Sequence, residues 1–267
     1  MSVKSPLALQ VQGLVKHFDG VRALDGVDFE VPAGQCVALI GPNGAGKSTC
    51  FACLAGQQVP TAGQVLWQGQ SLLGKPPAER QRLGVARTFQ VAQTFEALTV
   101  LQNIQLVLRG AAPLAWWDRL DHRQPERALQ LAVQAGLQDQ ALATVADLPY
   151  GAKKRLELAM ALAGLPGPGA EHGPSLLLLD EPAAGLALAE RADMMALVRQ
   201  VASQGVTVLY TEHNMDAVFG VADRVLVLMQ GRLVADGLPE AVAQDPQVRE
   251  RYLGQEFDMK GLLDALR

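Results

Sequence analysis

The sequence lacks any long uninterrupted hydrophobic segment, which limits how the protein could meet a membrane. No window approaches the roughly 18 to 20 uncharged apolar residues that a membrane-spanning helix requires. The first ten residues, MSVKSPLALQ, hold no apolar stretch long enough for a secretion signal. We therefore expect a soluble protein, for which any role at a membrane would be peripheral.

A basic surplus is also absent. The chain has 23 Lys and Arg residues against 27 Asp and Glu residues, a formal net charge of −4 at pH 7. Proteins that bind nucleic acid usually carry a basic patch or stripe, so this balance argues against a nucleic-acid partner. The only tight basic run, at residues 153–155, is interpreted as a solvated helix face.

Cysteine is scarce and odd in number. Cys36, Cys50 and Cys53 all lie in apolar segments. We interpret them as small core residues of a protein in a reducing compartment, and we expect no metal-binding or redox role for them.

What the sequence does contain is an alternation of strand and helix patterns. Short apolar runs such as VDFEV, QCVALI and LLLLDEP predict strands, and LAERADMMALVRQVASQG predicts a helix. Strands that alternate with helices are typical of a parallel sheet covered by helices. From about residue 95 to 165, Ala, Leu and Gln dominate at helical spacing, as at Leu129, Ala132, Val133 and Leu137, which indicates an inserted helical region.

The segment GPNGAGKST, residues 41–49, has the spacing of a phosphate-binding loop. It matches G-x-x-x-x-G-K-[ST] between a predicted buried strand and a predicted helix, as that motif requires. The glycines let successive backbone N–H groups point at phosphate oxygens, whereas the alternative is a glycine-rich turn that binds nothing. Lys47 adds positive charge, Ser48 can ligate Mg²⁺ and Thr49 can reach a further phosphate oxygen. The candidate nucleotide-binding residues are Gly41, Pro42, Asn43, Gly44, Ala45, Gly46, Lys47, Ser48 and Thr49.

A second acidic motif follows a predicted strand at LLLLDEP, residues 176–182. The strand would bring Asp180 to the carboxyl edge of the sheet, where it can hold Mg²⁺ through water. Glu181 can then orient or deprotonate an attacking water molecule. By itself the motif is equally well explained as a strand that ends in a solvated acidic turn, and the phosphate-binding loop favours the catalytic interpretation.

Taken in order, these motifs resemble the ATP-binding subunit of ABC transporters over roughly residues 7–254. The order is GPNGAGKST, RTFQ, LPYG, LLLLDEP and TEH. The resemblance implies an α/β fold, a P-loop NTPase cassette with a RecA-like parallel-sheet core, an antiparallel β subdomain and an inserted α-helical subdomain. The implied divisions are one ATP-binding domain at 5–240, its core at 5–92 and 166–240, its helical subdomain at 93–165, and a C-terminal helical tail at 241–267.

The resemblance also implies roles for three residues outside the phosphate-binding loop. Phe18 stands where an aromatic ring stacks on adenine, Gln90 matches the glutamine that touches Mg²⁺ and the attacking water, and His213 matches the histidine that contacts the γ-phosphate. The implied catalytic set is therefore Glu181, His213, Gln90 and Lys47, with Ser48, Gln90 and Asp180 at the metal. The plainer alternatives are a core phenylalanine, a surface glutamine and a structural histidine.

The segment LPYG, at 148–151, occupies the place where the family usually has L-S-G-G-Q. In the family this helix start faces the γ-phosphate of ATP bound to the other subunit, so Tyr150 and Gly151 are candidate nucleotide contacts in trans. Pro149 replaces the serine whose hydroxyl contacts the phosphate, which leaves the amide of Gly151 and the helix dipole to do so. An ordinary buried helix is the alternative.

Further segments resemble one branch of the family, the ATPase subunits of importers for branched-chain amino acids. They are GVARTFQ, LTVLQNI, DEPAAGL and RYLG. The branch implies ATP and Mg²⁺ as cofactors, a second ATPase subunit in a homodimer or heterodimer, transmembrane permease subunits and, indirectly, a periplasmic binding protein. It implies a peripheral location on the cytoplasmic face of the bacterial inner membrane.

Some residues depart from the family pattern and keep other functions open. Ala187 and Leu188 stand where Asp or Asn and usually Pro are expected. With Pro149, they motivate a non-hydrolysing regulatory subunit as one alternative. A soluble ATPase of the same superfamily in DNA repair or translation is the other, although the chain has one phosphate-binding loop and no long heptad tract. In the tail, Met259, Leu262, Leu263 and Leu266 form an apolar stripe that Asp258 would cap.

Overall fold

The protein is represented by a computed structural model, which describes residues 7–88, 94–108, 124–166, 174–254, 257 and 261. Gln90 and the apolar stripe of the tail lie outside these residues, as does most of a Gly/Pro-rich segment, GLPGPGAEHGPS, at 164–175. Within the described ranges, no helix is both long enough and apolar enough to cross a membrane.

The described strands form two sheets. They are β1 (Leu7–Phe18), β2 (Val21–Pro32), β3 (Cys36–Ile40), β4 (Ala62–Trp67), β5 (Gln70–Ser71), β6 (Val85–Arg87), β7 (Leu176–Asp180), β8 (Thr207–Thr211), β9 (Arg224–Met229) and β10 (Arg232–Gly237). The larger sheet has the order β10-β9-β3-β8-β7-β6, parallel from β9 to β6, with β10 antiparallel at its edge. The smaller sheet, β2-β1-β4-β5, is antiparallel throughout.

Helices connect the strands and form the inserted region. They are α1 (Lys47–Ala55), α2 (Pro77–Arg82), α3 (Val100–Val107), α4 (Pro125–Gln134), α5 (Tyr150–Ala163), α6 (Leu188–Ser203), α7 (Met215–Phe219), α8 (Pro239–Gln244) and α9 (Pro246–Val248). Short 3₁₀ turns span Gln138–Gln140 and Val145–Asp147, and a π turn spans Arg249–Leu253. Helices α3, α4 and α5 contact one another, and a capping box at Thr99 starts α3.

The central strand β3 shows how the core is divided. All five of its residues are buried, as expected for a parallel strand covered on both faces. Because side chains alternate along a strand, Val37 and Leu39 join the cluster beneath α1 and the antiparallel sheet, while Ala38 and Ile40 join the cluster beneath the other helices. The sheet therefore separates two hydrophobic cores.

The three cysteines are buried, as predicted for small core residues, and none forms a disulfide. Burial raises the pKa of the Cys36 thiol to about 12, and Cys50 shifts in the same direction for the same reason. A thiol that stays protonated at neutral pH is a poor nucleophile and a poor metal ligand.

Two local features were not predicted by apolar spacing. The segment RVLVLMQGRLVADG forms two antiparallel strands, because Gln230 and Gly231 adopt φ values of 50° and 76° and make a tight hairpin turn between β9 and β10. In α4, Ala132 is buried, but Leu129 and Val133 are 45% and 53% exposed. The apolar spacing there correctly indicated a helix, but part of its apolar face is open to solvent.

Candidate active site

The strand order places the predicted motifs at one edge of the larger sheet. Strand β8 lies between β3 and β7, and all three run parallel. The phosphate-binding loop follows β3, the acidic pair follows β7 and His213 follows β8. Carboxyl ends of parallel strands meet at a common edge, which is where α/β proteins bind ligands.

The phosphate-binding loop has the curled backbone that its glycines predict. Gly41, Gly44 and Gly46 have φ values of 147°, 77° and 106°, and Gly46 is the N-cap of α1. The turn is closed by a hydrogen bond from the Ala45 N–H to the Pro42 carbonyl at 3.2 Å. The loop therefore leads directly into a helix N-terminus, an arrangement that favours phosphate.

Lys47 lies across this loop. Its ammonium donates to the carbonyl of Gly41 at 2.6 Å and to that of Pro42 at 3.1 Å, and the residue is only 7% exposed. Burial lowers the pKa of Lys47, and the nearby carboxylates of Glu181 and Asp180 oppose that shift. The acidic pair is thus close enough to the loop to share one charged site.

We expect Gly41→Ala to destabilise the fold by about 3 kcal/mol or more, because the new Cβ would overlap a backbone atom in a strained conformation. That Cβ would lie 2.0 Å from the Leu228 carbonyl oxygen. Gly44→Ala is the matched control, since a Cβ there meets nothing within 4 Å and only the positive φ costs about 1 kcal/mol. Urea unfolding measures both, and equal losses would show that the Leu228 contact has no effect.

Both carboxylate oxygens of Asp180, at the end of β7, accept hydrogen bonds. Oδ1 accepts from the Thr211 hydroxyl at 2.8 Å, and Oδ2 accepts from Arg87 at 2.7 Å. The Asp180 N–H donates to the Thr88 hydroxyl at 3.3 Å. A buried carboxylate of fixed orientation and the exposed hydroxyl of Ser48 are oxygen donors of the kind Mg²⁺ prefers, so the donor chemistry suits this ion.

Glu181 and His213 face each other. The His213 Nε2 atom lies 2.9 Å from the Glu181 Oε1 atom. Glu181 has a φ of 51°, a left-handed conformation that is costly for a residue with a side chain, and its N–H donates to the Thr211 hydroxyl at 3.1 Å. Strain of this kind is often found at functional sites, where the surrounding hydrogen bonds maintain it.

Glu212 is a buried acid that sequence reasoning missed, although it stands in the quoted TEH motif. It is 1% exposed, and its carboxylate accepts from the N–H groups of Ala183 at 2.8 Å and His213 at 3.2 Å. Burial raises the pKa of Glu212, and these backbone donors oppose that shift. The side chain ties the loop after Glu181 to the segment that carries His213, so it fixes how those two residues meet.

Arg87, in the quoted RTFQ motif, was also missed. It ends β6, pairs with Asp180 as described above, and donates a second hydrogen bond to Gln57 Oε1. The motif was noted for Gln90 alone, which lies outside the described residues. The pairing of β6 with β7 brings Arg87 to the acidic motif 93 residues further along the chain.

Phe18 ends β1 at the tip of the β1–β2 hairpin. Its ring is 39% exposed, and the Lys16 ammonium lies 4.7 Å from the ring centroid. The same hairpin approaches the phosphate-binding loop, because the Ala23 carbonyl oxygen would lie 2.3 Å from a Cβ at Gly46. Phe18 is therefore an accessible aromatic ring at the tip of this hairpin rather than a core residue.

The helix start at LPYG lies against the loop that follows the acidic pair. The Tyr150 hydroxyl donates to the Ala184 carbonyl at 3.3 Å, and a Cβ at Gly185 would lie 3.1 Å from the Tyr150 ring. Pro149 is the N-cap of α5 and supplies no side-chain cap. Gly151 is buried next to Glu190, whose Oε2 atom accepts from the Ala187 N–H at 3.3 Å.

These features define a class of protein, the P-loop nucleoside triphosphatases. A glycine-rich loop leads from a central parallel strand into a helix, and an acidic strand end lies beside it, as this class requires. The antiparallel sheet and the inserted helices are additions to that common core.

The comparison with known proteins specifies the family. The profile of the ABC transporter family matches residues 24–184, so the chain belongs to this family, as its motifs predicted. The protein is accordingly an ATP-binding subunit whose ATPase activity is coupled to transport, and the predicted cassette fold is confirmed.

Individual relatives cover almost the whole chain. The chain is 36% identical to the high-affinity branched-chain amino acid transport ATP-binding protein BraF of Pseudomonas aeruginosa, over 92% of this chain and 98% of BraF. It is 35% identical to LivG of Escherichia coli, with the same coverage and a name that states the same transport role. Among solved structures, the ADP conformation of MJ1267, an ATP-binding cassette of an ABC transporter, matches with a TM-score of 0.82 and 30% identity, over 94% of this chain and all of that one.

Proposed function

We propose that this chain is the ATP-hydrolysing subunit of an importer for branched-chain or related amino acids. The assignment of the transported solute rests on the identity of 35–36%, over 92% of the chain, to two branched-chain amino acid transport ATP-binding proteins. Because the similarity to transport subunits extends over 92% of the chain, it favours a transport subunit over a soluble repair or translation ATPase.

The proposed chemistry is attack of water on the γ-phosphate. The water oxygen bonds to the γ-phosphorus while Glu181 accepts a proton from that water. The bond from the γ-phosphorus to the leaving β-phosphate oxygen breaks at the same time. Lys47 and His213 stabilise the charge that develops on the phosphate oxygens. Mg²⁺, which Ser48, Asp180 and Gln90 would hold, supplies further positive charge against the triphosphate when bound.

A second ATPase subunit is proposed to complete each site. The start of α5 at Tyr150 is a helix N-terminus, where the first N–H groups lack intrahelical partners and attract anions. In the proposed pair, Tyr150 and Gly151 of one subunit face the γ-phosphate held by the other. The contact of Tyr150 with Ala184 places this helix start beside the loop that follows Glu181, so both would lie at the same interface.

Pro149→Ser tests the contact in trans, because serine would restore a hydroxyl where proline donates nothing. In a Glu181→Gln background, we expect the assembled complex to retain ATP about three to ten times more tightly, measured with radiolabelled ATP. The folding stability should change little. The serine gains a helix cap worth about 1 kcal/mol, and the chain loses a similar stabilisation that proline gives by restricting the unfolded state.

Leu238→Ser is the matched control for this prediction. Leu238 is the N-cap of α8, with φ and ψ of −62° and 150°, close to the −61° and 156° of Pro149. It adds the same cap away from the active site and should leave ATP retention unchanged. Unchanged retention in Pro149→Ser would contradict a phosphate contact at this position.

A permease segment is proposed to dock where the core meets the inserted helices. A cavity of about 610 Å³ lies there, lined by residues that include Arg87, Thr94, Phe95, Val107 and Met160. Phe95 is 57% exposed, which suits it for contact with another chain. This docking would hold the protein peripherally at the cytoplasmic face of the inner membrane, with a periplasmic binding protein on the other side.

The domain division is proposed on the same basis. The core would comprise residues 5–92 and 166–240, with the helical subdomain at 93–165 inserted between them. The tail at 241–267 would be a separate helical element, although α8 spans the boundary at residue 240.

Transport in proteoliposomes tests the whole proposal. The chain is reconstituted with its permease subunits, its partner ATPase and a binding protein, and uptake of leucine, isoleucine and valine is measured with phosphate release. We expect ATP-dependent uptake of at least one of the three. Uptake of another solute alone would contradict the assignment of branched-chain amino acids as the cargo. Absence of phosphate release would contradict the hydrolytic role.

A further inference from the structure

We propose that Arg87 sets how strongly Mg²⁺ binds beside Asp180, because its guanidinium is the counter-ion of that carboxylate and the metal must bind against it. This proposal rests on the metal role assigned to Asp180 above. It makes Arg87 a positioning residue of the ATPase site, acting through the charge that it presents to Asp180.

The guanidinium is held firmly at the acidic motif. Nη2 donates to Asp180 Oδ2 at 2.7 Å, and the two side chains are only 12% and 4% exposed. Nη1 donates to Gln57 Oε1, and the guanidinium carbon lies 5.9 Å from the centroid of the Phe51 ring. A charge-assisted bond in such a buried setting is much less screened than a surface ion pair.

The orientation of Asp180 does not depend on Arg87 alone. Oδ1 accepts from the Thr211 hydroxyl, the Asp180 N–H donates to the Thr88 hydroxyl, and β7 pairs with β8 at Asp180 and Thr211. These contacts remain if Arg87 is replaced by a neutral side chain. The substitution therefore changes the charge next to Asp180 more than the geometry.

The charges at the site explain the direction of the effect. Asp180 and Glu181 contribute two negative charges, and Lys47 and Arg87 contribute two positive charges, with Lys47 directed at the phosphate-binding loop. The Asp180 carboxylate is thus already paired with a cation before any metal arrives. Since Coulomb interactions are strong in a buried environment, removal of the Arg87 charge leaves an excess negative charge that attracts Mg²⁺.

Nucleotide binding by the full chain, followed calorimetrically with ATP at graded free Mg²⁺ and in EDTA, tests this proposal without depending on turnover. For Arg87→Gln we expect the free Mg²⁺ concentration that gives half of the binding enhancement to fall about three- to tenfold. Arg87→Lys, which keeps the charge, should remain close to wild type. If Arg87→Gln does not fold, Arg87→Met replaces it, because its apolar stem can still pack on Phe51.

Arg224→Gln provides the matched control, since Arg224 pairs with Asp236 on β9 and β10, with Nη2 and Oδ2 2.6 Å apart. It should lose an Arg–Asp pair without changing the Mg²⁺ requirement. An unchanged or higher Mg²⁺ requirement in the neutral Arg87 variant would overturn the proposal, as would an equal shift in Arg87→Lys. Binding by the wild-type chain that is independent of Mg²⁺ would instead overturn the metal role of Asp180.

Discussion

Glu181→Gln is expected to lower ATP turnover in the assembled complex by about 10² to 10⁴-fold, the usual contribution of a general base. Glutamine has nearly the same shape and retains an oxygen acceptor for His213 Nε2, which lies 2.9 Å from Glu181 Oε1. What it loses is the ability to take a proton from water. ATP should therefore still bind, and the subunits should stay closed around it.

Two measurements on the same preparation separate these effects. Steady-state phosphate release reports turnover, and gel filtration after incubation with ATP reports the trapped pair of subunits. Glu240→Gln is the control, because Glu240 is an exposed residue in the first turn of α8 and should change neither measurement. Hydrolysis at the wild-type rate by Glu181→Gln would show that another group activates the water.

The local motif of the phosphate-binding loop could be predicted because its chemistry is contained in nine consecutive residues. Glycine at Gly41, Gly44 and Gly46 is required by positive φ, and the flanking strand and helix follow from apolar spacing. The acidic pair was predictable for a similar reason, since it follows a run of four leucines that is buried in the sheet. Local sequence was sufficient in both cases.

The partners of the acidic pair could not be predicted, because strand order decides them. Arg87 and Thr211 reach Asp180 only because β6 and β8 lie on either side of β7, and no local pattern specifies that order. The hydrogen bond that Glu212 accepts from the Ala183 N–H could not be predicted either, because it forms only when the loop after Glu181 folds against Glu212. The left-handed backbone at Glu181 likewise depends on hydrogen bonds that its N–H donates to Thr211 at the end of β8.

Lys47→Met is expected to weaken ATP binding by about 10- to 150-fold, because a charge-assisted hydrogen bond to phosphate is worth about 1.5–3 kcal/mol. Methionine keeps a long stem in the buried space of Lys47 but removes the charge. Binding to the full chain is measured by calorimetry in Mg²⁺. Lys75→Met is the control, since Lys75 pairs with Glu79 at the start of α2, away from the loop, and its loss should leave ATP affinity unchanged.

The pKa of Lys47 indicates that this loss should not arise from unfolding. Burial lowers that pKa below its unfolded value, so the unfolded chain binds the proton more tightly and the charged lysine costs folding free energy at neutral pH. That cost disappears as pH rises through the folded pKa towards the unfolded value of about 10.4. Apart from the lost bonds to Gly41 and Pro42, Lys47→Met should therefore be at least as stable as wild type at pH 7. The difference in the free energy of unfolding between variant and wild type should shrink as the pH rises. A variant that unfolds at neutral pH would show that those two bonds outweigh the cost of burial, and one that binds ATP normally would remove Lys47 from the phosphate site.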